Sequence, residues 1–188
     1  MRARMALQYA GIQVEHREIE LRSKPQSMLL ASPKGTVPVL CVDEEVIDQS
    51  LDIMRWALKQ SDPDKWRNIE EGIAQSWIDK NDGPFKKLLD QYKYPNRHPE
   101  LNQEETLVAI EALMLKPMEE VLQESQYLFG NQMTWVDIAI FPFIRQFSMV
   151  DAQKFEQLPY PSVKQWLNRH LESKLFSKVM QKYPVWRD

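Results

Sequence analysis

The chain has 188 residues, enough to bury a core in one domain or in two small ones. Hydrophobic residues make up 43% and charged residues 27%, the balance of a folded chain, which excludes a disordered one. A formal net charge of -3, with Lys and Arg scattered along the chain, excludes the basic face that phosphate-backbone binding needs, so no nucleic-acid partner is expected.

Residues 1–10 are helix formers, with Met1, Met5 and Tyr9 at helical spacing and Gly11 placed to end the helix in a left-handed cap. No Ser, Thr, Asp or Asn precedes this run as a cap. Residues 12–21 are rich in β-formers with alternating stretches, so a strand is expected there. Lys24-Pro25 opens a polar segment with a brief helix through Ala31, and Ser32-Pro33-Lys34-Gly35 reads as a turn. Strands are expected over 37–42 and 46–47, joined by the acidic turn at 43–45. Ser50 is placed to cap a helix over 50–60 that carries Leu51, Met54 and Leu58 on one face.

The polar run 61–64 marks a domain boundary, giving domains over 1–61 and 65–188; everything after it reads as helix. Ile69, Ile73 and Trp77 are expected on one buried face, and Asn81-Asp82-Gly83-Pro84 to interrupt that helix before Leu88, Leu89 and Tyr92. Asn102 with Glu105 resembles a capping box opening a helix to about residue 124, bent at Pro117. Thr134 and Asp137 stand at capping spacing ahead of the apolar stretch 138–147, which Pro142 should bend. Two further helices begin near Tyr160 and Lys174. No apolar run approaches the roughly 20 residues of a membrane-spanning helix, so no membrane partner is expected.

The one cysteine, Cys41, excludes an internal disulfide and points to a reducing compartment, the cytoplasm. His16, His98 and His170 lack metal-ligand spacing, so no metal site is expected. Two short motifs carry chemistry. Pro38 in an apparent strand removes a ladder donor and belongs at an edge or bend. If the Val37–Pro38 bond is cis, Val37 turns its N–H and C=O toward an incoming extended peptide; an ordinary trans proline at a sheet edge is the alternative. Ser50, at a helix start, offers a hydroxyl and free N–H groups to a carboxylate, Gln49 an acceptor to an ammonium group, and Asp48 negative charge. Together they suit an amino-acid head group; plain helix capping is the alternative for Ser50.

Over essentially the whole chain these motifs resemble the glutathione transferase family. Gly35-Thr-Val-Pro-Val-Leu40 is similar to its cis-proline strand and Asp48-Gln-Ser-Leu-Asp-Ile53 to its γ-glutamyl-binding turn and helix. Arg22-Ser-Lys-Pro25 is similar to the segment where omega-like members place a glutathione-contacting lysine. Thr134-Trp-Val-Asp137 resembles the capping box of the family's buried second-domain helix.

The resemblance implies an α/β plus all-α fold, a thioredoxin-like domain followed by the family's C-terminal helical bundle. It implies glutathione as co-substrate, with Val37 pairing the cysteinyl part, Gln49 and Ser50 holding the γ-glutamyl end, and Lys24 reaching toward the peptide. A small electrophile or a disulfide would be the second partner, and the protein a homodimer. In omega-like, cysteine-type members a strand and a nucleophile-bearing loop stand ahead of the segment matched by residues 1–7. The first domain is therefore expected to be N-terminally truncated, with no catalytic residue assigned. A strand from another copy, a rearranged sheet or a poorly folded first third would follow. Cys41 is expected to be buried and inert. Trp77, Trp135, Trp166 and Phe143 could line an apolar pocket, with core packing the default. A non-catalytic interaction module of the same architecture is the competing function.

Overall fold

Helix α1 (Arg2–Tyr9) opens the chain and ends as the glycine foretells. Gly11 sits at φ 71, its N–H donates to the Gln8 carbonyl at 3.3 Å, and the Ile12 N–H donates to that of Leu7 at 3.0 Å. This paired closure satisfies two carbonyls that the helix end would leave open. In the computed structural model, which describes residues 1–188, the chain divides into two compact units. The first comprises Met1–Asp64 with Ser173–Asp188, and the second Lys65–Glu172.

The core of the first unit lies where α1 packs on α3 (Ser50–Gln60). Met5 and Ala6 meet a face made of Ile53, Met54, Ala57 and Leu58, none more than 3% exposed. Truncating Met54 or Ile53 to alanine would cost about 2–5 kcal/mol, because so dense a contact collapses poorly around a cavity. Helix α11 (Lys174–Val179) adds Val179 against the other flank of α1.

The sheet is an antiparallel pair, β1 (Leu40–Val42) and β2 (Glu45–Ile47), in the register Leu40↔Ile47, Cys41↔Val46 and Val42↔Glu45. It departs from expectation in three places. Residues 12–21 form no strand: Glu18 bridges Val185 and Glu20 bridges Ser23, each singly, because alternation makes a strand only where a neighbour supplies a continuous ladder. β1 begins at Leu40 rather than at 37, since Pro38 has no N–H to give and the Val37–Pro38 bond is cis. Cys41 is exposed, not buried. Strand alternation turns Ile47 inward and sets the Cys41–Val46 pair on the opposite, uncovered face, where Val46 is 43% exposed. Helix α2 (Gln26–Ala31) is a short turn and a half with no buried residue.

The second unit is built from helices. α4 (Glu71–Lys80) passes through a π-turn at Asn81–Phe85 into α5 (Lys86–Lys93), and α6 (Gln103–Ile110) through a π-turn at Glu111–Leu115 into α7 (Lys116–Leu122). Each widening lies at a proline, Pro84 inside the first and Pro117 just past the second, so the helix absorbs a missing donor without breaking. The buried face of α4 is Ala74 and Ile78; Ile73 is 46% exposed and Ile69 precedes the helix, which corrects the expected face.

α8 (Trp135–Ser148) forms the centre of this unit and runs through Pro142, with Val136, Ile138, Ala139, Ile140, Phe141 and Ile144 all fully buried. Trp135 and Trp166 are core residues, while Trp77 and Phe143 are half-buried. α9 (Ala152–Gln157), capped by Asp151 on the Lys154 N–H at 2.9 Å, was not foreseen. α10 (Pro161–Leu171) starts against the buried Glu119 of α7, whose carboxylate accepts from the Ser162 and Val163 N–H groups at 3.1 and 2.9 Å.

Candidate functional site

The register of the β1–β2 pair decides where the two chemistry-bearing motifs lie. Leu40 faces Ile47, so the chain entering β1 (Val37, Pro38) and the chain leaving β2 (Asp48, Gln49) stand at the same end of the ribbon. Two side-chain bonds tie the preceding turn to that end. Ser32, 1% exposed, donates its hydroxyl to Asp48 Oδ2 at 2.9 Å, and the Lys34 ammonium donates to Asp48 Oδ1 at 2.8 Å. The Lys34 and then the Ser32 bond hold the Asp48 carboxyl below its usual range. Asp48, expected to lend negative charge to a ligand's ammonium group, is thus already neutralised by Lys34 and acts as a tether. Sequence reasoning missed that role, because the tether joins residues sixteen positions apart.

Gly35 closes the turn at φ 59. A Cβ there would stand 3.2 Å from Leu29 Cδ2 and 3.5 Å from Lys24 Nζ, so the exposed Lys24 lies over the glycine, two residues ahead of Val37. Val37 is 50% exposed and lies in a bend outside the ladder, which leaves its backbone accessible.

α3 begins differently from expectation. Gln49 is the cap position and Ser50 the first helical residue, and no side chain caps the helix start. The capping reading of Ser50 therefore falls. Ser50 and the first-turn N–H groups make up the positive end of an eleven-residue helix that has no side-chain cap. Gln49 is exposed and Ser50 half-buried. Such an arrangement accepts a carboxylate through N–H donors and an ammonium group through the Gln49 amide oxygen.

The other hydroxyl of the unit with unusual surroundings is committed elsewhere. Tyr9 donates to Asp62 at 2.9 Å and accepts from the Asp64 N–H at 2.7 Å. Burial, followed by the Asp62 bond and charge, pushes its phenol well above the ordinary range, so it stays protonated and structural. In the second unit the Thr134–Asp137 pair forms a complete capping box at the start of α8. Asp137 Oδ2 accepts the Thr134 N–H and hydroxyl at 2.9 and 2.8 Å, and Oδ1 accepts Leu128 N–H and Trp166 Nε1–H, both at 2.9 Å.

The family model for the glutathione S-transferase N-terminal domain matches residues 1–72 and that for the C-terminal domain residues 89–174. Glutathione S-transferase 3 of Caenorhabditis elegans is 24% identical over 194 residues, covering 92% of this chain and 91% of its own. The probable glutathione S-transferase parA of Nicotiana tabacum is 28% identical, covering 96% and 83%. Hematopoietic prostaglandin D synthase of Gallus gallus is 28% identical over 142 residues, and the match spans 64% of that protein's length and 69% of this chain. Among solved structures, a Pseudomonas fluorescens family member with two glutathione bound superposes with a TM-score of 0.79 at 17% identity, covering 95% of this chain and 86% of the other. Glutathione S-transferase-I bound with lactoylglutathione gives 0.74 at 21% identity, covering 95% and 91%. The chain belongs to the glutathione S-transferase family, with a thioredoxin-like first domain carrying a short sheet and a helical second domain.

Proposed function

We propose that the first unit binds glutathione along the edge entering β1 and at the start of α3. The Val37 backbone pairs with the cysteinyl portion as an added strand, Ser50 and the first-turn N–H groups take the γ-glutamyl carboxylate, and Gln49 accepts from its ammonium group. Lys24, beside the turn that leads into Val37, offers charge to the glycyl carboxylate. The observation that carries this reading is the uncapped start of α3, held beside the Val37–Pro38 edge by the Ser32–Asp48–Lys34 tether.

Glutathione held in this way serves as co-substrate. Its thiolate is the reacting form, and transfer to a small electrophile or exchange with a disulfide are the reactions its chemistry allows. Cytoplasmic location follows from the single cysteine, and a homodimer from the family likeness, as parts of the same reading.

Calorimetric titration of the chain with glutathione tests it. The double variant Gln49→Ala, Ser50→Ala is expected to lose at least about tenfold in affinity, the loss of roughly one charge-assisted hydrogen bond. Equal affinity of variant and parent would overturn the assignment.

A further inference from the structure

Within the second unit a groove of about 540 Å3 lies where the π-turn at Asn81–Phe85 and α5 meet α8, a volume in the range of small-ligand sites. Leu89, Tyr94 and Phe143 give it apolar and aromatic lining; Leu89 is buried and the two rings are half-buried. Three cations line it as well, Lys86, Lys87 and Lys93. Lys86 and Lys87 make no ion pair and no hydrogen bond, and Lys93 meets only the Tyr94 ring, at 4.9 Å from its centroid. The two acids of the lining are already engaged. Asp82 Oδ1 accepts from the Asn81 amide at 2.7 Å, and Asp90 Oδ2 stands 3.8 Å from His98 Nε2. Three lysines against two aspartates leave the lining with one net positive charge, in a chain whose own net charge is -3.

We propose that this groove binds a small aromatic carboxylate, its ring against Phe143 and Tyr94 and its charge taken by the ammonium groups of Lys86, Lys87 and Lys93. Lysines along a helix are ordinarily a solvated face. Here they border an aromatic recess, where the lower dielectric strengthens their attraction for an anion and the rings supply area for a flat apolar body. An apolar recess alone would accept any hydrophobe of the right size, so the unpaired lysines are what select for charge. Lys93, already resting on Tyr94, loses little further freedom when an anion arrives. The π-turn contributes at one end of the groove, a use such turns often have at functional sites. It places Gly83 there, where a Cβ would meet nothing within 4 Å, so the space is left open by the absence of a side chain. The groove lies wholly within the second unit, and the proposal does not rest on glutathione binding in the first.

Calorimetric titration of the full chain with 1-naphthoate and with its uncharged isostere 1-naphthamide, both without glutathione, is the test. Naphthoate is expected to bind saturably and the amide about tenfold more weakly. The double variant Lys86→Gln, Lys87→Gln should lose about tenfold in naphthoate affinity while its affinity for the amide stays within about twofold of the parent's. Raising salt from about 50 mM to about 500 mM should weaken naphthoate and leave the amide unmoved. Gly83→Trp sets a ring in the groove and should weaken both ligands alike. Both variants are expected to keep the parental unfolding midpoint, and the exposed Lys86 and Lys87 pair decides the matter alone if Gly83→Trp does not fold. Absence of saturable naphthoate binding, equal affinity for acid and amide, or naphthoate affinity unchanged in the lysine variant would each overturn the proposal.

Discussion

The starts of α8 and α3 are the same problem solved in opposite ways. At α8 the open N–H groups meet a complete box, and the Asp137 carboxylate is shared among four donors from Thr134, Leu128 and Trp166 with none of it exposed. At α3 the neighbouring acid, Asp48, is bonded to Ser32 and Lys34, and the helix start is left without a side-chain cap. Where every donor is satisfied internally, the helix end is a fastening. An end kept open beside an accessible edge suits a ligand's carboxylate, because the donors are preorganised and still unspent.

The largest effect expected from breaking this contrast is at the closed end. Asp137→Ala removes the shared acceptor and strands buried N–H groups, so denaturant unfolding should show a loss of about 3–5 kcal/mol. Asp137→Asn should lose less, since one oxygen still accepts.

A pH effect in the same unit is next in size. His170 is 1% exposed among Phe141, Trp166 and Tyr127, and burial, helped by the adjacent Arg169 charge, lowers its pKa from 6.5 to about 3. Between those values the unfolded chain binds a proton that the folded chain refuses. Stability should therefore fall as pH drops from about 6.5 toward 3, by about 1.4 kcal/mol per pH unit at the steepest. Asp137, raised by burial, opposes this at the acid end, because its folded form takes up a proton first. Thermal unfolding from pH 7.5 to 4.5 checks the slope, and His170→Leu should flatten it.

Two smaller breaks come from groups that act across elements. Glu119→Ala leaves the Ser162 and Val163 N–H groups without their acceptor and should cost about 2 kcal/mol in urea unfolding. Gly35→Ala places a Cβ against Leu29 and Lys24 in a left-handed turn, at a cost of about 1–2 kcal/mol. Because it displaces the turn ahead of Val37, its glutathione affinity in calorimetry should fall as well.

The local signals explain which parts of the fold were readable. Gly11, Asn102 and the Thr134–Asp137 pair are short-range devices that act where their spacing said they would, although Asn102 does so as a plain cap accepting the Glu104 and Glu105 N–H groups rather than as the box expected with Glu105. The prolines located both π-turns for the same reason. Strand assignment at 12–21 failed because a ladder depends on a partner far away in sequence; its one long-range bridge is to Val185, a residue that periodicity does not connect with it. Cys41 was misjudged since burial of a strand residue depends on how many faces are covered, which a three-residue pattern does not contain. Residues 173–188, read with the helical part, pack in the first unit for a similarly long-range reason. At the candidate site the sequence named Lys24, Val37, Gln49 and Ser50, but the tether through Ser32, Lys34 and Asp48 spans sixteen positions and was invisible.

The smallest expected effect on stability is the one that sharpens the comparison most. Thr134→Ala and Ser50→Ala delete the same hydroxyl chemistry at two helix starts. The Thr134 hydroxyl is spent on Asp137, so its loss should lower stability by about 1 kcal/mol and leave glutathione affinity untouched. Ser50 caps nothing, so Ser50→Ala should move stability by less than about 0.5 kcal/mol, the range of a substitution away from any structural device. Its whole consequence should appear in calorimetry, as weaker glutathione binding with an unchanged unfolding midpoint. A stability loss at Ser50 equal to that at Thr134 would mean that α3 relies on this hydroxyl after all. The open end would then be a fastening like the other, and the argument for a ligand there would lose its footing.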